Sequence, residues 1–73
     1  MMIESDYRGY RIEVGAIEVE GVWDAEVKIC RTQSKATACN GLLTCRKPTA
    51  QLAEERGAVC AHQWIDRYAR AVR

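Results

Sequence analysis

The side chains with the widest chemical reach in this sequence are four cysteines, Cys30, Cys39, Cys45 and Cys60, and a single histidine, His62. Structural zinc takes four donors of this kind, and its usual knuckles draw two of them from a pair separated by two residues. The gaps here are eight, five and fourteen residues, so no pair forms a knuckle. Cys60 and His62 sit two positions apart in a helical pattern, which turns them about 200° from one another. Cys60 then faces the core, His62 faces solvent, and the two are poorly placed to chelate one ion. The same separation weakens a cysteine–histidine nucleophile pair. No glycine-rich phosphate loop, nucleophile elbow or paired acid accompanies them. The expectation is therefore no catalytic residue, no metal and no cofactor, with the thiols acting as small hydrophobes.

Two other constellations could bind rather than react. Arg46 and Lys47 stand just before a capped helix, and Arg31 and Lys35 precede them in a polar segment. If the four gather at one end of a sheet, they and the helix N-terminal amides would suit an anion or a nucleic-acid phosphate. The competing reading is a set of solvated strand ends. The second constellation is Leu52 and Val59, seven residues apart on an otherwise polar helix face and flanking Arg56 and Gln63. They read either as scattered exposed apolar residues or as a strip for self-association or partner docking.

Charge is unevenly divided along the chain although its net value is +1. Residues 1–30 carry three basic and seven acidic side chains, and residues 31–73 carry eight basic and three acidic. A nearly neutral total gives little general attraction to nucleic acid or anionic lipid.

The elements that must position these residues follow from periodicity. Tyr10 to Val14 alternates, with Tyr10, Ile12 and Val14 on one face and Arg11 and Glu13 on the other, which predicts a strand. Trp23, Ala25, Val27 and Ile29 alternate with Asp24, Glu26 and Lys28 in a second. Glu20-Gly21 reads as the hairpin tip between them, with Ile17 and Val19 continuing the first arm. The inward parity shifts at Gly15 and Ala16, which suggests a bulge. Thr32 to Gly41 is small, polar and ends in Asn-Gly, so it reads as a loop. Leu42 to Arg46 is then a short third strand ended by Pro48.

Thr49 is placed to cap a helix running to about Ala71. Ala50, Ala53, Gly57, Cys60, Ala61, Trp64, Tyr68 and Ala71 share one stripe, with Ile65 and Val72 beside it. Gly57 reads as its weak point. Glu54 and Glu55 near the start, and Arg67, Arg70 and Arg73 near the end, complement the helix macrodipole. The expected fold is α+β, a three-stranded antiparallel sheet with one long C-terminal helix packed on one face in the order β-β-β-α. The outer sheet face, with Arg11, Glu13, Asp24, Glu26 and Lys28, should be wet and charged. It has no aromatic pair on which bases could stack.

Seventy-three residues suit one core rather than two, so residues 1–73 are read as a single domain. With no phenylalanine, the core should rest on Trp23, Trp64, Tyr7, Tyr10 and Tyr68 together with isoleucine and valine. No apolar run approaches the length that spans a bilayer, and Met1 to Tyr10 lacks the pattern of a secretory leader. The expectation is a cytoplasmic protein with reduced thiols and no membrane partner.

The runs Tyr7-Arg8-Gly9-Tyr10-Arg11-Ile12, Gly21-Val22-Trp23-Asp24-Ala25 and Thr49 to Ile65 together resemble small proteins of β-proteobacteria of the Burkholderia type. That resemblance covers most of the chain and carries no established activity, so it implies no functional residues. In topology, three strands followed by a helix is similar to part of the double-stranded-RNA-binding domain and to HicB-type antitoxin domains, a likeness of fold alone. The reading that follows is a small non-catalytic interaction module with a protein partner or a second copy of itself. A nucleic-acid-binding or regulatory domain is the alternative.

Overall fold

The computed structural model describes the backbone of residues 2–71 and the side chains of residues 2–68. Four antiparallel strands lie across one sheet in chain order: β1 (Ile3–Tyr7), β2 (Tyr10–Val19), β3 (Val22–Arg31) and β4 (Thr37–Lys47). One helix, α1 (Ala50–Ala71), packs on the sheet's inner face. The α+β class, the antiparallel sheet and the C-terminal helix agree with the sequence reading, but there are four strands and not three. The additional strand is β1, which pairs with β2 from Ile3 opposite Val14 to Tyr7 opposite Tyr10. Its turn, Arg8-Gly9, has φ of +51° and +84°, and Glu20-Gly21 between β2 and β3 repeats those values. Two successive residues with positive φ make a type I′ turn, whose twist suits a two-residue hairpin, and glycine enters that region without strain.

β2 and β3 pair without interruption from Tyr10 opposite Arg31 to Val19 opposite Val22. The bulge expected at Gly15 and Ala16 is therefore absent, and Tyr10, Ile12, Val14 and Ala16 share the inner parity. The irregularities lie between β3 and β4 instead. Trp23 pairs with Lys47 and Ala25 with Leu43, so Thr44, Cys45 and Arg46 all stand opposite Asp24. Arg46 reaches φ +52° there. The carboxylate of Asp24 accepts hydrogen bonds from the Cys45 amide (3.1 Å) and the Arg46 amide (3.0 Å). Asp24 was expected on the wet outer face, and it is 6% exposed. It is buried because the bulge removes two backbone donors from the ladder, and buried donors need a partner. A second, smaller bulge sets Ala38 between the pairs Ile29–Cys39 and Cys30–Thr37.

The loop expected over Thr32 to Gly41 is shorter, because β4 begins at Thr37. The chain reverses at Thr32 to Lys35, with the Lys35 amide donating to the Arg31 carbonyl (2.8 Å) and Lys35 at φ +60°. Asn40-Gly41 is not a turn. It lies inside β4, and Gly41 has no positive φ.

α1 begins as expected, the Thr49 hydroxyl accepting a hydrogen bond from the Leu52 amide (3.2 Å). Its most buried line is Ala53, Gly57, Ala61 and Ile65, with Glu54 buried beside it. Gly57 sits where the helix touches the sheet. A Cβ there would lie 2.7 Å from Val14 Cγ1 and 2.9 Å from Ala25 Cβ. This closeness leaves little room for aromatic rings, so the fully buried side chains of the centre are Ile12, Val14, Ile29 and Ile65. Of the aromatic residues expected to dominate, Tyr10 is buried, while Tyr7, Trp64 and Tyr68 are half-buried against the core. Trp23 is half-buried outside that cluster, opposite Lys47 at the far end of the sheet. Val72, Arg73 and the side chains of Arg70 and Ala71 lie outside the described residues. No helix among the described residues is long and apolar enough to cross a membrane.

Candidate docking site

β1 and β4 are the edge strands of the sheet. They differ in length and charge. β1 has five residues and carries Glu4 and Asp6, whereas β4 has eleven and is uncharged from Thr37 to Cys45. Charged and very short edges resist further pairing, and a long neutral edge invites it. Within β4 the regular stretch is Cys39 to Leu43, bounded by the two bulges. Its side chains alternate, Cys39, Gly41 and Leu43 lying on the inner face with their partners Ile29, Val27 and Ala25.

α1 lies mainly across β2 and β3, which leaves the inner side of β4 less covered. Gly41 widens that gap, for a Cβ at this position would meet no atom within 4 Å. The result is an open apolar groove of about 190 Å³ between β4 and α1, lined by Val27, Ile29, Cys39, Gly41, Leu42, Leu43, Cys60, Ala61 and Trp64. Leu42, at its rim, is 58% exposed. The site thus joins a row of unpaired backbone donors and acceptors to a pocket for a side chain.

The four basic residues singled out by sequence do not gather at one end. Arg31 ends β3 and Lys35 lies in the turn after it, while Arg46 and Lys47 end β4, about 25 Å away by the rise along β3, where Trp23 lies opposite Lys47 and Cys30 opposite Thr37. They bracket the neutral edge instead of forming a patch. Among the described residues the ion pairs belong to Arg8 and Arg11, and none involves Lys35, Arg46 or Lys47. Arg31 is held by aromatic rings, 5.8 Å from the Tyr10 centroid and 5.9 Å from that of Tyr68, and it donates to the Tyr68 hydroxyl. Trp64 stacks on Tyr68 at 5.0 Å, with Tyr10 edge-on to both. Leu52, Arg56, Val59 and Gln63 are all exposed on the helix surface, Leu52 and Val59 by 42% and 44%.

The cysteines are dispersed, each free and half-buried. Cys39 and Cys60 line the groove. The Cys45 thiol donates to the Trp23 carbonyl, and the Cys30 sulfur lies 4.0 Å from the Thr37 hydroxyl. No group of three or more His, Cys, Asp or Glu among the described residues is arranged to hold a metal ion. His62 is not simply solvated, since its ring packs edge-on to Tyr7 at 4.4 Å. Beside it the Tyr7 hydroxyl (2.7 Å) and the Arg8 guanidinium (2.9 Å) both donate to Asp66 Oδ1. Those bonds, Tyr7 foremost, hold the Asp66 carboxyl below the usual carboxylate range, and the same contact pushes the Tyr7 phenol up.

On the outer face Arg11 reaches Glu4 (2.7 Å), Asp6 (3.5 Å) and Glu13 (3.9 Å). A shallow hollow of about 570 Å³ beside it has both signs of charge in its lining, including Asp6, Glu13, Lys28 and Lys35. With Arg11 and Arg31 also in the lining, the hollow holds four basic residues against two acidic ones, and Arg11 is already engaged by the carboxylates around it.

No protein-family model, no curated protein and no solved structure matches the chain. The site therefore stands on its own geometry. Sequence reasoning missed it because Asn-Gly signals a turn so strongly, which hid the alternation of Cys39, Gly41 and Leu43 that marks a strand.

Proposed function

We propose that the chain is a non-catalytic protein-interaction module that takes up an extended segment of another chain along the open edge of β4. The observation that carries this reading is the coincidence of a regular, uncharged edge at Cys39–Leu43 with the apolar groove beside Gly41. Strand addition needs these two parts, main-chain hydrogen bonds for affinity and a pocket for alternate side chains for specificity. The exposed Leu52 and Val59 supply neither backbone groups nor a cavity. Phosphate binding by Arg31, Lys35, Arg46 and Lys47 draws less support, because the pairs stand at opposite ends of β4 and each alone neutralises few phosphates, so little counterion is released.

Selection from a displayed library of random short peptides tests the reading, with wild type and Gly41→Val as parallel baits. Enrichment of sequences with alternating apolar residues on wild type, lost on Gly41→Val, is the expected result. Enrichment that is the same on both baits, or none on either, would overturn it.

A further inference from the structure

Resting on that reading, we infer that the segment taken up by β4 is an acidic one: a short strand that places one large apolar side chain in the groove beside Gly41 and carries carboxylates on both flanks. The groove sets the central residue. It holds about 190 Å³ of space, more than the roughly 150 Å³ that accommodates benzene in an engineered protein cavity, and its walls are aliphatic, thiol and indole. A strand paired to Cys39–Leu43 points alternate side chains to the inner face, so one of them falls level with Gly41, where the chain supplies no side chain of its own.

Charge sets the flanks. Lys35 lies just beyond one end of the regular stretch, and Arg46 and Lys47 lie beyond the other, and among the described residues no carboxylate forms an ion pair with the side chain of any of them. Any strand long enough to leave the regular stretch meets these cations at both ends, whichever way it runs. The same arrangement disfavours a second copy of this chain as the occupant. Antiparallel pairing of two β4 edges would bring Arg46 and Lys47 of one copy toward Lys35 of the other at both ends of the joint, and β4 carries no acidic residue to offset them.

The four free cysteines supply a built-in readout. Cys39 and Cys60 line the groove, whereas Cys30 lies on the outer face beside Thr37. A bound strand should slow alkylation of the first two by iodoacetamide and leave Cys30 unchanged.

The experiment compares three capped peptides with a common centre: Asp-Glu-Val-Thr-Phe-Thr-Val-Glu-Asp, its Ser/Asn-flanked analogue and its Lys-flanked analogue. Binding is followed by fluorescence anisotropy across a salt series, with mass-spectrometric mapping of alkylation. The acidic peptide should bind roughly tenfold or more tightly than the neutral one at low salt, with the margin closing as salt screens the flanks. It should protect Cys39 and Cys60, and both effects should vanish in Gly41→Val, whose new side chain fills the groove from an extended backbone that accepts it. Should that variant not fold, Lys35→Glu/Lys47→Glu serves in its place, since it must remove the advantage of the acidic peptide and shift the preference toward the Lys-flanked one. Equal affinity for the acidic and neutral peptides would overturn the acidic flanks and leave strand uptake standing. No binding and no protection with any of the three would overturn both. Wild-type self-association that Gly41→Val abolishes would make the occupant a second copy, which also overturns this inference.

Discussion

Replacing Gly57 with alanine should destabilise the protein, although helix propensity alone says the reverse. In a helix interior alanine is favoured over glycine by about 1 kcal/mol. The structure opposes that gain with steric cost. A Cβ at Gly57 would stand 2.7 Å from Val14 Cγ1, 2.9 Å from Ala25 Cβ and 3.3 Å from Val27 Cγ2, where carbon atoms rest about 3.5 to 4.0 Å apart. Val14 is fully buried and stiff at χ1, and the Ala25 Cβ has no rotamer to change. The helix must therefore retreat from the sheet by about 0.5 to 1 Å, pulling Ala53 and Ala61 with it. Overpacking of this kind costs about 1 to 3 kcal/mol, which leaves a net loss of about 0 to 2 kcal/mol. Each kcal/mol lowers the melting temperature of a domain this size by about 4 to 8 °C. Urea unfolding followed by far-ultraviolet circular dichroism and tryptophan emission measures it. A double-mutant cycle with Ala25→Gly locates the cause, because removing the opposing methyl should recover part of the loss, a coupling of about 0.5 kcal/mol or more. If Gly57→Ala instead raises stability by about 1 kcal/mol, and the two substitutions are additive, the close approach is not a constraint and the argument fails.

Asp24→Ala should cost about 1 to 3 kcal/mol, since it strands the Cys45 and Arg46 amides; hydrogen exchange at those two amides should quicken before that of the β2–β3 ladder. Thr49→Ala should cost about 1 kcal/mol through the lost bond to the Leu52 amide, measured by the same urea titration. The lowered Asp66 carboxyl sets a pH dependence: a group depressed in the folded state contributes stability that is present above its unfolded value, near pH 4, and is lost as pH falls through the folded one. Tyr7→Phe removes the largest cause, so the Asp66 carboxyl resonance should titrate at higher pH in that variant, and an unmoved midpoint would contradict the assignment.

Where local chemistry and tertiary packing agree, the sequence could be read directly. The Glu20-Gly21 hairpin, the cap at Thr49 and the alternation of Ala25 to Ile29 are cases of that kind. β1 escaped because Ile3-Glu-Ser-Asp-Tyr7 has only two large apolar residues, and its strand character shows only when Arg8-Gly9 is recognised as a turn with the same backbone as Glu20-Gly21. Asn40-Gly41 misled for the opposite reason: the dipeptide tolerates a turn without requiring one, and the positive φ that reverses the chain falls at Lys35. The burial of Asp24 depends on a bulge in a strand more than twenty residues away, and the groove depends on where the helix comes to lie. Neither dependence leaves a local trace, so the edge and its pocket are features of the assembled fold.

All four strands precede the helix in the chain, and this order governs how the protein is made. Synthesis runs from the N-terminus, so the strands are made first and Ile12, Val14 and Ile29 have no helix to cover them until the residues through Ile65 have emerged. Through that interval the nascent chain shows both its core face and its β4 edge. Translation that halts after Lys47 would release the strands without the helix that covers their apolar side chains, a species for chaperones and proteases to clear.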